Sequence, residues 1–282
     1  MSSTSNPTNP PAPQSSALPP SHPFNTPDDA ATSQPADNVT TSSLPSLSKK
    51  VTPPHKALLR LELRDLTSNG ARAFLRLVHA TDALQHAVDI VLTLLYTSMP
   101  TSCIPPTRSV TLVLRDMDGV AYTTGLDLDN DHKEIHLSTT YLSSINESRQ
   151  KEEIMGVLVH EMVHCWQQAA CGTAPGGLIE GVADWVRLKA GYAPPHWKRH
   201  GDCTWDAGYE RTGYFLEWLE EKHGEDVVRR INEALREREY DERALWHGCC
   251  GEGVEELWEK YRESLGVEDP EDGGGEEEKE DC

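Results

Sequence analysis

"HEMVHCWQ", residues His160–Gln167, is the stretch on which the reading of this chain turns. In an α-helix, residues four apart lie about 40° apart around the axis and roughly 6 Å apart along it. His160 and His164 can therefore present both imidazoles to one divalent ion, with Glu161 beside the water that the ion binds. The same letters would also make a polar strip on an ordinary helix, so the surrounding residues have to decide.

A catalytic zinc takes three protein ligands and keeps one position for water. The longer motif H-E-x-x-H-x-x-G-x-x-H would supply a third histidine, but Gln167 and Ala170 stand at those positions. Residues 175–191, "PGGLIEGVADWVRLKAG", offer another source. After the Pro175-Gly176-Gly177 break a new helix is predicted, with Glu180 and Asp184 four apart on one face. Glu180 can ligate the metal, while Asp184 accepts a hydrogen bond from the far nitrogen of a ligating histidine and so fixes that ring. A histidine-bearing helix, a glycine-rich reversal and then E-x-x-x-D resembles the gluzincin arrangement of zinc peptidases. A helix-starting acid stabilised by the macrodipole is the plainer account of Glu180. A salt-bridged or solvent-facing carboxylate is the plainer account of Asp184.

These two motifs, together with "WDAGYERTGYFLEWLE" at 205–220, resemble the plant basic secretory protein family of zinc peptidases, which also occurs in fungi and bacteria. The resemblance covers roughly residues 56–265 and implies one Zn2+ per chain, a peptidase activity and a peptide or protein substrate. Glu161 would be the general base. Tyr209 is the candidate donor to the oxyanion, on a helical face shared with Trp205, Thr212 and Leu216, or else a core tyrosine. The rival function is a non-catalytic protein of the same fold acting as a binding module. Retention of Glu161 favours the enzyme, since such a module needs no base.

Composition divides the chain. Residues 1–54 hold 12 of the 19 prolines and 11 serines, and read as a disordered tail. Residues 268–282 carry nine acids against one lysine and read as a disordered acidic tail. Residues 55–267 remain for one catalytic domain. The net charge of -20 leaves about -11 on that domain once the tails are removed. So negative a surface argues against nucleic acid and anionic membrane as partners, and a monomer is expected. The start of the chain has no apolar run of the signal-peptide kind, and the longest apolar stretch, Ala87 to Tyr96, is too short to span a bilayer. Seven cysteines, an odd number without a C-x-x-C pair, suit a reducing compartment. The expected localisation is therefore cytoplasmic or otherwise intracellular, whereas the resemblance implies secretion.

Along the domain, Leu59, Leu61 and Leu63 alternate with Arg60, Glu62 and Arg64, the pattern of a half-buried strand. Helices are predicted near 71–79 and 82–96. Two β-like runs, 110–114 and 120–124, flank Asp118-Gly119 and predict a hairpin. A short strand at Glu134–Leu137 is expected to offer an edge to an extended peptide. From Lys151 the pattern is helical, with breaks near 172–177, 193–206 and 248–251. The fold class is α+β, zincin-like: a small mixed sheet, the motif helix, then a mainly helical part. Asp127, Asp129 and Asp131 mimic the start of a calcium loop, but His132 and Ser138 stand where it requires Gly and Glu. His196, His200 and His223 are expected to be surface or loop residues, the cysteines small core residues, and the tryptophans to pack the core or line the cleft.

Overall fold

A computed structural model describes residues 16–17 and 51–266. The predicted tails fall almost wholly outside these residues.

The sheet is built from strands β1 (Ser16–Ala17), β2 (Leu58–Leu63), β3 (Ser109–Arg115), β4 (Ala121–Leu126) and β5 (Asp129–Ser138), in the order β1-β4-β5-β3-β2. β2, β3 and β5 run parallel, and β4 runs antiparallel to β5. Around them lie α1 (Asn69–Leu77), α2 (Ala80–Tyr96), α3 (Thr139–Ser144), α4 (Gln150–His164), α5 (Gly176–Lys189), α6 (Tyr209–His223), α7 (Val227–Ala234), α8 (Glu242–Cys250) and α9 (Val254–Ser264). The class is α+β, and among the described residues no helix is long and apolar enough to cross a membrane.

Leu59, Leu61 and Leu63 point toward the core, as their alternation required. Two other strand expectations need correction. Gly119 does take a left-handed φ of 78°, so Asp118-Gly119 is a turn, yet the runs beside it do not pair with each other. β5 enters between them, and the hairpin is β4–β5, closed where Leu126 pairs with Asp129. That places Glu134–Leu137 inside the sheet, bonded on both sides, so it offers no edge to a peptide. The outer long strand on that side is β4, where Ser16 and Ala17 pair antiparallel with Thr123 and Tyr122. Two of the three aspartates of the apparent calcium loop, Asp129 and Asp131, instead pair with Arg108, just before β3.

α4 is the centre of the molecule. Every residue from Ile154 to Val163 is buried, on all sides of the helix, against the sheet, α2 and α5. A helix buried all round is normally apolar all round, and here the exceptions are His160 and Glu161. Behind them Arg187 of α5, itself buried, reaches Glu153 of α4 at 3.0 Å, and its guanidinium fills the space that a side chain at Gly156 would need. Trp166, Trp185 and Trp246 are fully buried in the same core.

α5 approaches α6 and the loop before it closely because it carries glycines where they meet. A Cβ at Gly177 would lie 1.6 Å from the Asp206 carbonyl oxygen, and one at Gly181 2.3 Å from the Thr212 methyl. This contact brings the start of α6 to the motif helix. Trp205 precedes α6, so it does not share a helical face with Tyr209 as the spacing suggested; Thr212 and Leu216 are on the helix.

Candidate metal centre

The last turn of α4 carries the two histidines, and the first half of α5 faces them. His160 Nε2 lies 3.3 Å from His164 Nε2 and 3.1 Å from Glu180 Oε2. The third side of the triangle, His164 Nε2 to Glu180 Oε2, is 3.7 Å. Ligand atoms bound tetrahedrally to zinc at 2.0–2.2 Å stand roughly 3.3–3.6 Å apart. The three donors are therefore spaced as the base of such a tetrahedron, and they form the metal-competent cluster among the described residues.

The other face of each ring is fixed by a partner. His160 Nδ1 lies 2.6 Å from Asp184 Oδ1, buried with it, and carries the hydrogen that this carboxylate accepts. His164 Nδ1 lies 2.9 Å from Gln167 Oε1. The Gln167 amide has its own orientation set, because its Nε2 donates to the Ile179 carbonyl at 2.8 Å. His164 Nδ1 is thus the donor. When both rings are neutral, Nδ1 carries the hydrogen and the Nε2 lone pairs turn toward one another and toward a carboxylate. Such an arrangement calls for a positive charge at its centre.

The charge count points the same way. Glu161 and Asp184 are buried and Glu180 nearly so, and the ion-pair partners of Glu180 and Asp184 among the described residues are histidines. Burial disfavours a cationic His160, but the Asp184 charge and hydrogen bond, aided by Glu180, raise its pKa to about 10. Burial also works against the Glu180 carboxylate, which its contacts with the two rings nevertheless hold down at about 2. A proton shared along Asp184, His160 and Glu180 and a divalent cation in the triangle neutralise the same donors. Binding of the cation would release the proton.

Glu161 points to the sheet side. Its carboxyl is pushed up by burial, with the two histidines acting in the opposite sense. Oε2 accepts a 2.7 Å hydrogen bond from Thr123 Oγ1 on β4, and Oε1 is buried without a protein partner. Tyr209 opens α6 with φ at 49°, following Gly208 at 85°. A left-handed tyrosine is a costly backbone state, and its ring lies parallel to His160 with 6.3 Å between centroids. Burial, then the charges of Glu180, Asp184 and Glu161, hold its phenol above the usual value.

All six candidates named from sequence, His160, Glu161, His164, Glu180, Asp184 and Tyr209, therefore gather in one place. His196, His200 and His223 are not in the metal-competent cluster. Two residues were missed. Gln167 stands three residues after His164, so helical spacing could have found it. Thr123 gave no local signal, since its partner is 38 residues away.

Residues 56–261 match the model of a family described as "Peptidase of plants and bacteria". No curated protein and no solved structure matches the chain. The chain belongs to this peptidase family, the basic secretory protein family that its three motifs resemble.

Proposed function

We propose that this member of a peptidase family is a zinc-dependent peptidase of zincin-like architecture, with His160, His164 and Glu180 as ligands and Glu161 as general base. One observation carries the reading: two imidazole nitrogens and a carboxylate oxygen converge at 3.1–3.7 Å, while Asp184 and Gln167 take up the other side of each ring.

Bound zinc supplies a water of lowered pKa and polarises the scissile carbonyl. Glu161 takes the proton from the attacking water on Oε1, the oxygen without a protein partner, and returns it to the leaving amine. Tyr209, held beside His160 by the Gly208 turn, donates its phenolic hydrogen to the oxyanion. Asp184 and Gln167 keep both rings in the tautomer that leaves Nε2 free.

Purified without chelators, the protein should contain about one zinc per chain. Glu161→Gln should keep that zinc and lose cleavage of a peptide library, because the amide preserves shape but takes no proton. A zinc-free protein, or a Glu161→Gln variant within about tenfold of wild-type turnover, would contradict the reading.

A further inference from the structure

We propose that Thr123 is the positioning residue for Glu161, holding Oε2 so that Oε1 alone is left to accept a proton. The proposal rests on the peptidase reading above and adds to it a residue on a different element of the fold.

The Thr123 hydroxyl lies 2.7 Å from Glu161 Oε2 and 3.0 Å from the Glu161 backbone carbonyl. Both acceptors have a reason to need it. The last carbonyls of a helix lack intrahelical donors. In α4 the amide of Cys165, which would ordinarily reach Glu161 O, bonds Met162 O at 3.1 Å instead, and the Cys165 thiol, a weak donor, lies 3.8 Å from that oxygen. The buried Oε2 would otherwise be as unpartnered as Oε1, and an unpaired buried carboxylate oxygen is expensive. The one hydroxyl hydrogen, shared between the nearer Oε2 and the carbonyl, thus ties the side chain of Glu161 to its own backbone.

The sheet dictates where that hydroxyl points. Side chains alternate along β4, and Tyr122 stacks on His136 with 4.6 Å between centroids and 6° between planes, on the face away from α4. With Tyr122 on that face, Thr123 projects from the other onto the helix; a slip of one residue would reverse every side chain. A free glutamate side chain is rich in rotamers, and fixing it costs that freedom. Thr123 removes that freedom before the substrate arrives, and it selects which oxygen does the chemistry.

The test is steady-state cleavage by Thr123→Val, which keeps the shape and removes the hydroxyl, and by Thr123→Ser, which keeps the hydroxyl. The valine variant should lose about 10- to 100-fold in kcat with KM and zinc content unchanged. The serine variant should stay within about 3-fold of wild type. Combining Thr123→Val with Glu161→Gln should cost no more than Glu161→Gln alone, since both act through one carboxylate. Should the valine variant not fold, Thr123→Ala carries the same expectations. A valine variant with wild-type kcat, a serine variant as poor as valine, or losses that multiply in the double variant would each overturn the proposal. A crystal structure of Thr123→Val separates this question from the peptidase reading. Glu161 should leave its position or occupy several; an unmoved carboxylate overturns the proposal whether or not the wild type cleaves peptides.

Discussion

Glu180 and Asp184 are both acids on one turn-spaced face of α5, yet they meet opposite ends of the same imidazole. Glu180 Oε2 is 3.1 Å from His160 Nε2, and Asp184 Oδ1 is 2.6 Å from His160 Nδ1. On the proposed reading, removing the first deletes a ligand; changing the second leaves the ligand but loosens its tautomer and aim. Asp184→Asn should therefore weaken zinc binding by about 10- to 100-fold, and Glu180→Ala by more. Competition titration against a chromophoric chelator ranks wild type, Asp184→Asn and Glu180→Ala in that order of affinity. The reverse order for the two variants would exchange their roles. Four of the five polar residues at the heart of the centre were readable because helical geometry converts a spacing of four into a shared face. The fifth, Glu161, was readable by adjacency to His160. Gln167 was read only as a departure from the longer motif, standing where that motif has its glycine, and its part in aiming His164 became visible once Ile179 was seen beside it.

At the scale of elements, the approach of α5 to α6 matters most, since it delivers Tyr209 to His160. Gly181 cannot gain a methyl without meeting the Thr212 side chain at 2.3 Å, and Thr212 is buried and bonded to the Trp205 carbonyl at 2.7 Å. Gly181→Ala should therefore destabilise the protein by about 1–3 kcal/mol, the usual cost of overpacking. Gly248 is the control: it is exposed within α8, and a Cβ there would meet nothing within 4 Å. Gly248→Ala should stabilise by about 0.4–1 kcal/mol through the unfolded chain. Urea titration reads both as shifts of midpoint at constant slope, and a neutral Gly181→Ala would show that the two helices can separate. Glycines that mark breaks were legible as breaks; that Gly177 and Gly181 serve a helix contact depended on which helix lay opposite.

Over the whole molecule, the candidate metal centre lies where three packed parts meet: the sheet through Thr123, the central helix α4, and the α5–α6 pair. The donors are buried carboxylates and imidazoles, so a cation bound there stabilises the folded state alone. At a free zinc concentration 100 times its dissociation constant the gain is about 2.7 kcal/mol. For a domain of this size that corresponds to roughly 5–10 °C in melting temperature. Adding a strong chelator should lower the thermal midpoint of wild type by that amount and leave Glu180→Ala nearly unmoved. Equal shifts in both proteins would mean that the chelator acts elsewhere.

What the sequence determined by itself was everything that repeats on the scale of a helical turn or a strand pleat. That covers the motif helix, the carboxylates on α5, the alternation of β2, and the left-handed turn at Gly119. These features depend on residues a few positions apart, whose relative directions are set by backbone geometry alone. Only the tertiary structure decided which strand lies beside which. β5 inserts between β3 and β4, so the expected hairpin moved to Asp127-Leu128 and the expected open edge became an interior strand. A turn signal specifies that the chain reverses, not what it pairs with, and pairing is settled by burial summed over the whole sheet. The grip of Thr123 on Glu161 belongs to the same category, because it exists only where β4 crosses the end of α4.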